Sequence, residues 1–504
     1  MKKFLYFTFI VEFILCIIMV INLSGVNNMH EFQPENLKLI RKNNKITQME
    51  LASMLGVSDR AVSKWEKGLS SPSSRHLLVL GKIFNISVEY FFAAEKKTEK
   101  YTISGGMESL TELYKIGRGP SSSHTIGPEK GCKLVKKANK NADRFKVVLF
   151  GSLAKTGKGH GSDVVIKKTF EPIKCDVEFN YLETNIPHPN TMDIYAYKNG
   201  DEIYKTRMLS VGGGSVVFEN SSYECPEKIY DLSHFADIAK YCNEKRIRLW
   251  EFALENEDQN FMEYMKNTWE VMKESIKNGL NDEGILPGGL NVVKKARSLF
   301  ESQHIDETRE TRENRMVCAY AFAVSEQNAT GEKIVTAPTC GAAGVVPAVL
   351  YYQQQKNNYT DEEIVRALIS AGIIGNIIKT NASISGAECG CQAEIGSACA
   401  MASAALAELF GLSLDKIEYA AEIAIEHHLG LTCDPICGLV QIPCIERNAV
   451  AAMRAINAVN LASFLWGSRK ISFDKVVQTM KETGHDLSSS YKETSEAGLA
   501  KIDL

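Results

Sequence analysis

Six cysteines stand within 56 consecutive residues, from Cys389 to Cys444, and this density limits what the chain can fold into more than any other feature. The chain of 504 residues has 13 cysteines in all. An odd number argues against a disulfide framework, which usually has an even count on a short secreted chain. The pattern favours reduced thiols that converge on a metal site. The fold must then bring distant loops to one point.

Three of the six thiols, Cys391, Cys433 and Cys444, each stand beside a residue that favours a turn. Loop positions would let three distant thiolates meet on one face of a four-iron cluster. One iron would then lack a protein ligand and be free to act as a Lewis acid. The alternative is a set of free cysteines buried in a helical core. We favour that alternative for the other three, Cys389, Cys399 and Cys437.

Composition restricts the class of protein. With 44% apolar residues, 24% charged residues and a formal net charge of −3, the chain as a whole shows no bias toward nucleic acids or membrane surfaces. Its length is enough for three domains. We expect a multidomain protein: an all-α helix-turn-helix domain, then an α/β domain, then an all-α domain that carries the thiols.

The first 28 residues conflict with the rest of the chain. Lys2 and Lys3 precede an apolar run at 4–23, which alone is typical of a signal peptide or a single membrane span. A DNA-binding fold and a thiol-rich site, however, belong in the cytoplasm. We therefore expect translation to begin at Met29, with the apolar segment 1–28 as an upstream artefact. A genuine membrane anchor is the alternative.

Residues 29–92 show short helical patterns separated by tight turns. Thr47 can cap a first helix, and Glu50 three residues later completes a capping box. Gly56 permits the sharp turn, and Ser58 caps a second helix. Apolar residues stand where the two crossed helices must pack: Leu51, Leu55, Val57, Val62 and Trp65.

This stretch resembles the helix-turn-helix domain of phage-repressor-type regulators. The resemblance implies that residues 29–92 bind double-stranded DNA through the polar face of the second helix. The residues expected to contact DNA are Gln48, Arg60, Ser63 and Lys64. The same fold also serves as a protein-docking module, which is the alternative.

A polar linker at 93–105 precedes two regions of different character. From 106 to 230 the pattern is mixed α/β, with four strand-like runs at 145–150, 163–166, 175–179 and 191–197. From 231 to 504 long stretches with helical spacing dominate, and we expect an all-α domain. Its clearest helices are predicted at 235–254, 361–378, 399–409 and 414–425.

A polar cluster follows a proline early in the α/β region: Ser121, Ser122, Ser123, His124 and Thr125. A rigid turn rich in hydroxyl and amide donors suits a carboxylate, and His124 adds a group that titrates near neutrality. The cluster therefore indicates a binding loop. The alternative is a polar turn that caps a helix.

Residues from about 104 to 504 resemble the bacterial iron–sulfur L-serine dehydratases, with both halves of that enzyme joined in one chain. The matching segments follow the family's order: 116–128, 336–344, 381–388, 426–435 and 443–448. The resemblance implies L-serine as substrate, pyruvate and ammonia as products, and a homodimer. It also implies a 4Fe–4S cluster on Cys391, Cys433 and Cys444.

The resemblance implies an elimination in which an open iron coordinates the β-hydroxyl of L-serine while a protein base removes the α-proton. We expect His124 to be this base, with Lys379 as the second choice. The other catalytic candidates are Ser122, Ser123, Thr125 and Ser385, and the substrate-binding candidates are Ser121, His188, Asn190, Gly213 and Asn381. For His188, Asn190 and Gly213, a tight turn is an equally good explanation.

Three alternatives stay open. Some family members close the fourth iron with a cysteine near the C-terminus, and residues 499–504 contain none, so that iron is either open or approached by Cys340 or Cys437. The substrate could be L-cysteine or L-threonine instead of L-serine. The chain could also be a transcription regulator whose dehydratase-like part senses serine or redox state.

Overall fold

The computed structural model describes residues 32–44, 46–84, 91, 106–183, 185–219, 226–302, 306–465, 467 and 469–502. The chain divides into two compact units, Met1–Ile103 and Ser104–Leu504. The apolar segment 1–28 and the linker 93–105 lie outside the described residues. Among the helices of the described part, none is long and apolar enough to cross a membrane.

The described part of the first unit contains four helices: α1 Pro34–Asn43, α2 Gln48–Leu55, α3 Asp59–Glu66 and α4 Ser74–Phe84. The predicted capping box is present. The Glu50 amide donates to Thr47 Oγ1 at 3.2 Å, and the Thr47 amide donates to the Glu50 carboxylate at 2.7 Å. Gly56 ends α2 at φ +67°, a conformation that favours glycine. The α2–α3 pair is the predicted helix-turn-helix.

The core of the first unit contains the apolar residues that the pattern predicts. Leu51, Val62 and Trp65 are buried, and Leu55 and Val57 pack against them. Burial of these side chains is the main favourable term for a unit of this size. The crossed packing leaves the polar face of α3 exposed.

The second unit begins with a five-stranded sheet in the order β4-β3-β5-β6-β7. Its strands are β3 Arg144–Leu149, β4 Lys174–Phe179, β5 Thr191–Lys198, β6 Asp201–Ser210 and β7 Val216–Phe218. Only β3 and β4 are parallel; the other pairs are antiparallel. The helices α5 Gly127–Ala138, α6 Gly151–Lys155 and α7 Ser162–Phe170 accompany this sheet. Three of the four predicted strands are thereby confirmed.

The strand predicted at 163–166 is wrong, because these residues lie in α7. The run of β-branched residues there favours a strand locally. Burial decides otherwise: Ser162, Ile166 and Phe170 are buried at a spacing of four, which is the repeat of a helix. Gly161, at φ +67°, makes the turn into α7.

The rest of the second unit is rich in helices, as expected. They are α8 Phe235–Lys245, α9 Leu249–Leu254, α10 Phe261–Asn281, α11 Ala296–Glu301, α12 Arg309–Ala329, α13 Val345–Asn357, α14 Asp361–Asn381, α15 Gly386–Cys389, α16 Ser397–Leu409, α17 Leu414–Glu426, α18 Cys444–Phe464 and α19 Phe473–Asp486. The single helix predicted at 235–254 is two helices, because Arg246 takes a left-handed conformation at φ +59°. The long helix α14 packs against α16 in the centre of the core.

Short strands join the start of this unit to its helical core. Strand β1 Met107–Glu108 pairs with β8 Lys228–Tyr230, and β2 Ile116–Arg118 pairs with β9 Lys333–Val335. The part after residue 231 is therefore helix-rich but not purely helical. The pairing of β2 with β9 places the polar cluster 121–125 against the helical core.

Candidate active site

The three turn-flanked thiols meet in one cavity. Cys391, Cys433 and Cys444 all line it, together with the carboxyl groups of Glu394 and Glu493. The neighbouring Cys433 side chain lowers the pKa of the Cys391 thiol through a hydrogen bond between the two groups. The three sulfurs come from separate segments, so the cavity is a product of the tertiary fold.

Positive charge reaches this cavity from α18. Cys444 is the first residue of that 21-residue helix, so its sulfur lies at the positive end of the helix dipole. One turn later, Arg447 donates to the carbonyl oxygen of Thr432 at 2.6 Å and to Asp434 at 3.2 Å. Despite the burial of Arg447, Cys391 and Cys444 raise the pKa of its guanidinium. The site can therefore hold the Cys391 sulfur in the thiolate form. The pKa of the Cys433 thiol is raised by its hydrogen bond with Cys391 and by burial, and burial raises the pKa of the Cys444 thiol.

Two glycines keep the wall of the cavity clear of side chains. A Cβ at Gly386 would lie 3.0 Å from the Cys433 sulfur, and a Cβ at Gly341 would lie 3.1 Å from Glu394 Oε1. Both distances are shorter than ordinary van der Waals contacts. Three thiols around a space kept open in this way match the donor set that iron–sulfur clusters require. The residues present therefore fit such a cluster.

The two thiols considered for a fourth iron lie elsewhere. Neither Cys340 nor Cys437 is among the described residues that line the cavity. Cys340 is buried, and burial raises the pKa of its thiol. Cys437 is exposed and takes a left-handed conformation at φ +55°.

His124 is fully buried beside the cavity, and hydrogen bonds engage both of its ring nitrogens. Its Nε2 lies 3.2 Å from Ser152 Oγ and 3.0 Å from Thr156 Oγ1. Both hydroxyls already donate to carbonyl oxygens, those of Glu493 and Ser152 respectively, so Nε2 must be the donor. Nδ1 then accepts, with Ser123 Oγ at 3.2 Å. The ring is held from both sides.

His160 also lines the cavity, although the motifs around it in the sequence do not predict a role for it. Its Nδ1 lies 3.0 Å from the carbonyl oxygen of Thr156, and a carbonyl only accepts, so Nδ1 carries the proton. Nε2 therefore carries a lone pair, and it has no hydrogen-bond partner among the described residues. Burial lowers the pKa of His160 to about 4. This is a neutral imidazole with an available base nitrogen.

Glu493 brings a carboxyl group to the two histidines. Its Oε1 lies 3.4 Å from His124 Nδ1 and 3.7 Å from His160 Nε2. Burial raises the pKa of this carboxyl well above its ordinary value, and Glu394 and Cys391 add to the shift. The backbone of Glu493 also donates to the carbonyl oxygen of Cys433 at 2.8 Å. Glu493 thus contacts both histidines and one of the thiol loops.

The cluster 121–125 forms a short π-helical turn, and its polar atoms are mostly used within the protein. Ser121 caps this turn by accepting from the His124 amide at 3.2 Å, and it lines the thiol cavity. Thr125 Oγ1 donates to the Ser121 carbonyl oxygen. Ser122 and Ser123 are buried, and Ser123 lies against His124. Ser121 therefore caps a helical turn, as the alternative interpretation of the cluster predicts, and it also lines the thiol cavity.

Of the remaining candidates near the sheet, His188 lies at a second, larger cavity. His188 Nε2 is 2.7 Å from Glu388, and both residues line that cavity. Asn190 is buried and donates to the Ser210 carbonyl oxygen at 3.4 Å. Gly213, at φ +56°, makes a tight turn. The hydroxyl of Ser385 is buried with no hydrogen-bond partner among the described residues.

Two candidates from α14 are engaged in structural contacts. Lys379 Nζ is paired with Glu108 at 2.7 Å and also contacts the Glu112 carbonyl oxygen at 3.2 Å. Asn381 donates to the carbonyl oxygen of Ser233 at 2.6 Å. Neither residue is among the described residues that line the thiol cavity.

The four residues expected to contact DNA divide into two kinds. Arg60 and Lys64 are exposed on α3, and Ser63 between them is half-buried. Gln48 instead donates to Glu66 at 2.7 Å, and Glu66 forms a buried ion pair with Arg41. Three of the four therefore remain on the accessible side of α3, and Gln48 is tied to the interior.

A wider cavity of about 850 Å³ leads to the thiols from outside. Pro120, His160 and Val440 line both this outer cavity and the thiol cavity. Its rim includes several basic side chains, such as Lys158 and Lys168. The volume is ample for an amino acid, so small polar molecules can reach His160 by this route.

Comparisons with known proteins agree for both units. Residues 129–500 match the family model for the serine dehydratase alpha chain, and residues 37–91 match a helix-turn-helix model. L-serine dehydratase 1 of Escherichia coli (strain K12) is 40% identical over 449 residues, which cover 78% of this chain and 99% of that protein. The L-serine dehydratase of Haemophilus influenzae is 39% identical with the same coverage. That of Streptomyces coelicolor is 39% identical over 446 residues, covering 78% of this chain and 98% of that protein.

Proposed function

The chain belongs to the serine dehydratase family, and on that premise we propose that it is an L-serine dehydratase, a carbon–oxygen lyase that forms pyruvate and ammonia. One observation carries this assignment. One cavity is lined by three thiols, by His160, whose Nε2 has no hydrogen-bond partner among the described residues, and by Ser121 at the start of the serine-rich turn. An elimination needs these parts together: a site for a Lewis acid, a base and a donor set for the substrate.

Cys391, Cys433 and Cys444 would hold a 4Fe–4S cluster. When bound, such a cluster supplies a Lewis acid that makes the β-hydroxyl of L-serine an acceptable leaving group. Arg447 favours the thiolate form of Cys391, the one of the three thiols whose pKa is lowered. The absence of Cys340 and Cys437 from the cavity supports an open fourth iron rather than a fourth thiolate.

The proton-abstracting base in this proposal is His160 rather than His124. The α-proton of L-serine moves to His160 Nε2, the Cα=Cβ bond forms as the Cβ–O bond breaks, and the leaving hydroxide takes the proton from His160 to become water. The resulting aminoacrylate tautomerises to an imine, and water hydrolyses the imine to pyruvate and ammonia. His124 is a positioning residue, because its Nε2 hydrogen bonds to Thr156, whose carbonyl oxygen orients His160. Lys379 has no part in this scheme, since it is paired with Glu108.

Ser121 and its neighbours supply the substrate contacts in this scheme. Ser121 lines the cavity, and the amide-rich turn that follows suits a carboxylate. Ser385, with a buried hydroxyl that has no partner in the described part of the chain, is the strongest of the remaining candidates. The contacts of Asn190 and Asn381 favour a supporting role for both.

The test is pyruvate formation from L-serine by protein that has been reconstituted with iron and sulfide in the absence of oxygen. The same sample is measured again after exposure to air. Activity that requires the cluster and is lost in air supports the proposal. A loaded cluster without serine turnover contradicts it, and L-cysteine and L-threonine are then assayed for the rival lyase activities.

We further propose that the first unit binds double-stranded DNA. Its match to the helix-turn-helix family and the exposed Arg60 and Lys64 on α3 support this role. We also propose that the protein is a cytoplasmic homodimer. The boundaries between its domains would lie near residues 105 and 230. A gel-shift series over salt concentration tests the DNA contact, and no binding at low salt contradicts it.

A further inference from the structure

We propose that His124, His160 and Glu493 form a second metal site, which takes a single divalent transition-metal ion such as Zn²⁺. It is separate from the thiol ligands, because none of its three donors is a cysteine. All three residues are buried, and their donor atoms lie within 4.8 Å of one another. Two imidazoles and one carboxylate are a common ligand set for zinc.

The distances suit a small cation. His124 Nδ1 and His160 Nε2 lie 3.4 Å and 3.7 Å from Glu493 Oε1. A tetrahedral ion with bonds of about 2.0–2.1 Å separates its ligands by about 3.3–3.4 Å. The two histidine–carboxylate pairs therefore need to move by only a few tenths of an ångström. The two rings are neighbours, with centroids 4.2 Å apart and planes tilted by 31°.

The protonation of the rings also suits a cation. The hydrogen bonds already described place the proton of His124 on Nε2 and the proton of His160 on Nδ1. The nitrogens that face Glu493, His124 Nδ1 and His160 Nε2, are therefore the two that carry no proton. His160 Nε2 and Glu493 Oε2 have no hydrogen-bond partner among the described residues. Buried polar atoms without partners are costly, and a cation bound to Glu493 Oε1 would give His160 Nε2 a partner.

The donor set selects the kind of ion. Imidazole nitrogens favour zinc, cobalt and iron over calcium and magnesium, which prefer oxygen ligands. The ion has a route to the site, because His160 also lines the outer cavity. If His160 is the base, an assignment that rests on the proposed function, the bound ion occupies the nitrogen that removes the proton. Zinc is then an inhibitor that competes with catalysis, not a cofactor.

The experiment uses cluster-loaded protein without oxygen, so that the three thiols are already occupied. Zinc is added, free zinc is removed by dialysis, and zinc and iron are counted per chain. We expect one zinc ion per chain with no loss of iron. X-ray absorption at the zinc edge should show nitrogen and oxygen ligands at about 2.0–2.2 Å and no sulfur at about 2.3 Å.

Variants locate the site. His160→Gln and Glu493→Gln should each weaken zinc binding by at least about tenfold, since each removes a ligand. The matched control is His188→Gln, which alters a half-buried histidine–glutamate pair and should bind zinc as the unmodified chain does. Failure of the unmodified chain to retain zinc overturns the proposal, and so does sulfur among the zinc ligands. Equal affinity in His160→Gln or an equal loss in His188→Gln also overturns it.

The zinc site and the proposed function fail separately. Zinc that binds at these ligands without slowing pyruvate formation contradicts His160 as the base and leaves the site intact. Normal turnover of L-serine with no retained zinc contradicts the site and leaves the dehydratase function intact.

Discussion

The backbone carbonyl of Thr156 fixes the tautomer of His160: the oxygen lies 3.0 Å from Nδ1, so the proton stays there and Nε2 is unprotonated. His124 depends on the same residue, because its Nε2 is 3.0 Å from Thr156 Oγ1. Thr156 thus orients both histidines: its hydroxyl contacts His124 Nε2, and its carbonyl oxygen contacts His160 Nδ1. Only His160 presents a lone pair that is free of hydrogen bonds within the described residues.

The first prediction concerns this base. His160→Gln should lower kcat for L-serine by about 10²–10⁴ with a smaller effect on KM, since general base catalysis is removed and the cavity keeps its shape. The acidic limb of kcat/KM in the unmodified enzyme should lie below the ordinary histidine pKa of 6.5, because burial lowers the pKa of His160 to about 4. Steady-state kinetics over pH measure both effects.

The exposed His234 offers a control for this variant. His234→Gln should keep full activity, and both variants should keep the iron content of the unmodified protein. Full activity in His160→Gln, together with loss of activity in His124→Gln, would return the base to His124.

The second prediction concerns the thiols. Serine in place of Cys391, Cys433 or Cys444 should each reduce bound iron and abolish air-sensitive activity, because a hydroxyl is a poor ligand for iron–sulfur clusters. Cys399→Ser is the matched control: this buried thiol donates to the Ala451 carbonyl oxygen, and a hydroxyl can do the same. Iron analysis after anaerobic reconstitution tests the set. Full iron content in any of the three ligand variants would show that the replaced cysteine is not a cluster ligand.

The third prediction concerns stability and pH. His124 and His160 have lowered pKa values because burial disfavours the charged rings. Below the unfolded value of 6.5 the unfolded chain therefore binds more protons, and the folded state loses stability as pH falls from there toward about 4. Each histidine should contribute a slope of up to about 1.4 kcal/mol per pH unit in that window. Thermal unfolding of cluster-loaded protein at several pH values measures the slope.

Comparison with His160→Gln isolates this histidine. The buried carboxyl of Glu326, whose pKa burial raises to about 7, contributes the opposite slope in both proteins. The variant should therefore show a shallower loss of stability between about pH 4 and 6.5. Identical slopes for the variant and the unmodified protein would mean that His160 is not held neutral by the fold.

The fourth prediction concerns the first unit. Arg41 and Glu66 are both buried, with Arg41 Nη2 2.9 Å from Glu66 Oε2. Glu66→Ala leaves the guanidinium buried without its partner and should destabilise this unit by about 3 kcal/mol. Hydrogen exchange of α1 and α3 in the full chain should show the loss. Lys38→Ala removes an exposed pair with Glu35 and should cost less than about 0.5 kcal/mol, and a similar loss in both variants would contradict the special role of burial.

The fifth prediction concerns DNA. Arg60→Ala and Lys64→Ala should weaken binding of double-stranded DNA, and each lost phosphate contact should reduce the slope of affinity against salt by about one. Lys140→Ala, an exposed lysine in the second unit, is the control. Gel shifts over a range of salt concentrations measure the slope. If Lys140→Ala weakens binding as much as Arg60→Ala does, α3 is not the particular surface that contacts DNA.

Local patterns account for what the sequence could predict. The capping box at Thr47 and Glu50 is confirmed, since its atoms lie within four residues of one another. The predicted strands at 145–150, 175–179 and 191–197 are confirmed too. The run at 163–166 has the residues of a strand, but its buried positions repeat every four residues, and tertiary burial overrides local propensity.

The site itself could be predicted only in part. The thiols were selected by number and by neighbouring turns, and the structure brings all three to one cavity. His160 and Glu493 were missed, because what distinguishes them is proximity across 333 positions of the chain rather than any motif around them. The position of His160 between two glycines was the one local signal, and a glycine-flanked histidine is too common to select.

Residues 491–499 complete the site from far along the chain. Cys433 donates its amide to the Tyr491 carbonyl oxygen and accepts from the Glu493 amide, and Asp434 accepts from the Leu499 amide. On the ribosome, Cys444 therefore emerges well before the segment that holds Cys433 in place. The thiol cavity is complete only when synthesis has passed residue 499. The proposed cluster would therefore be loaded after translation, since a nascent or prematurely ended chain has the three thiols but lacks the segment that holds Cys433 in place.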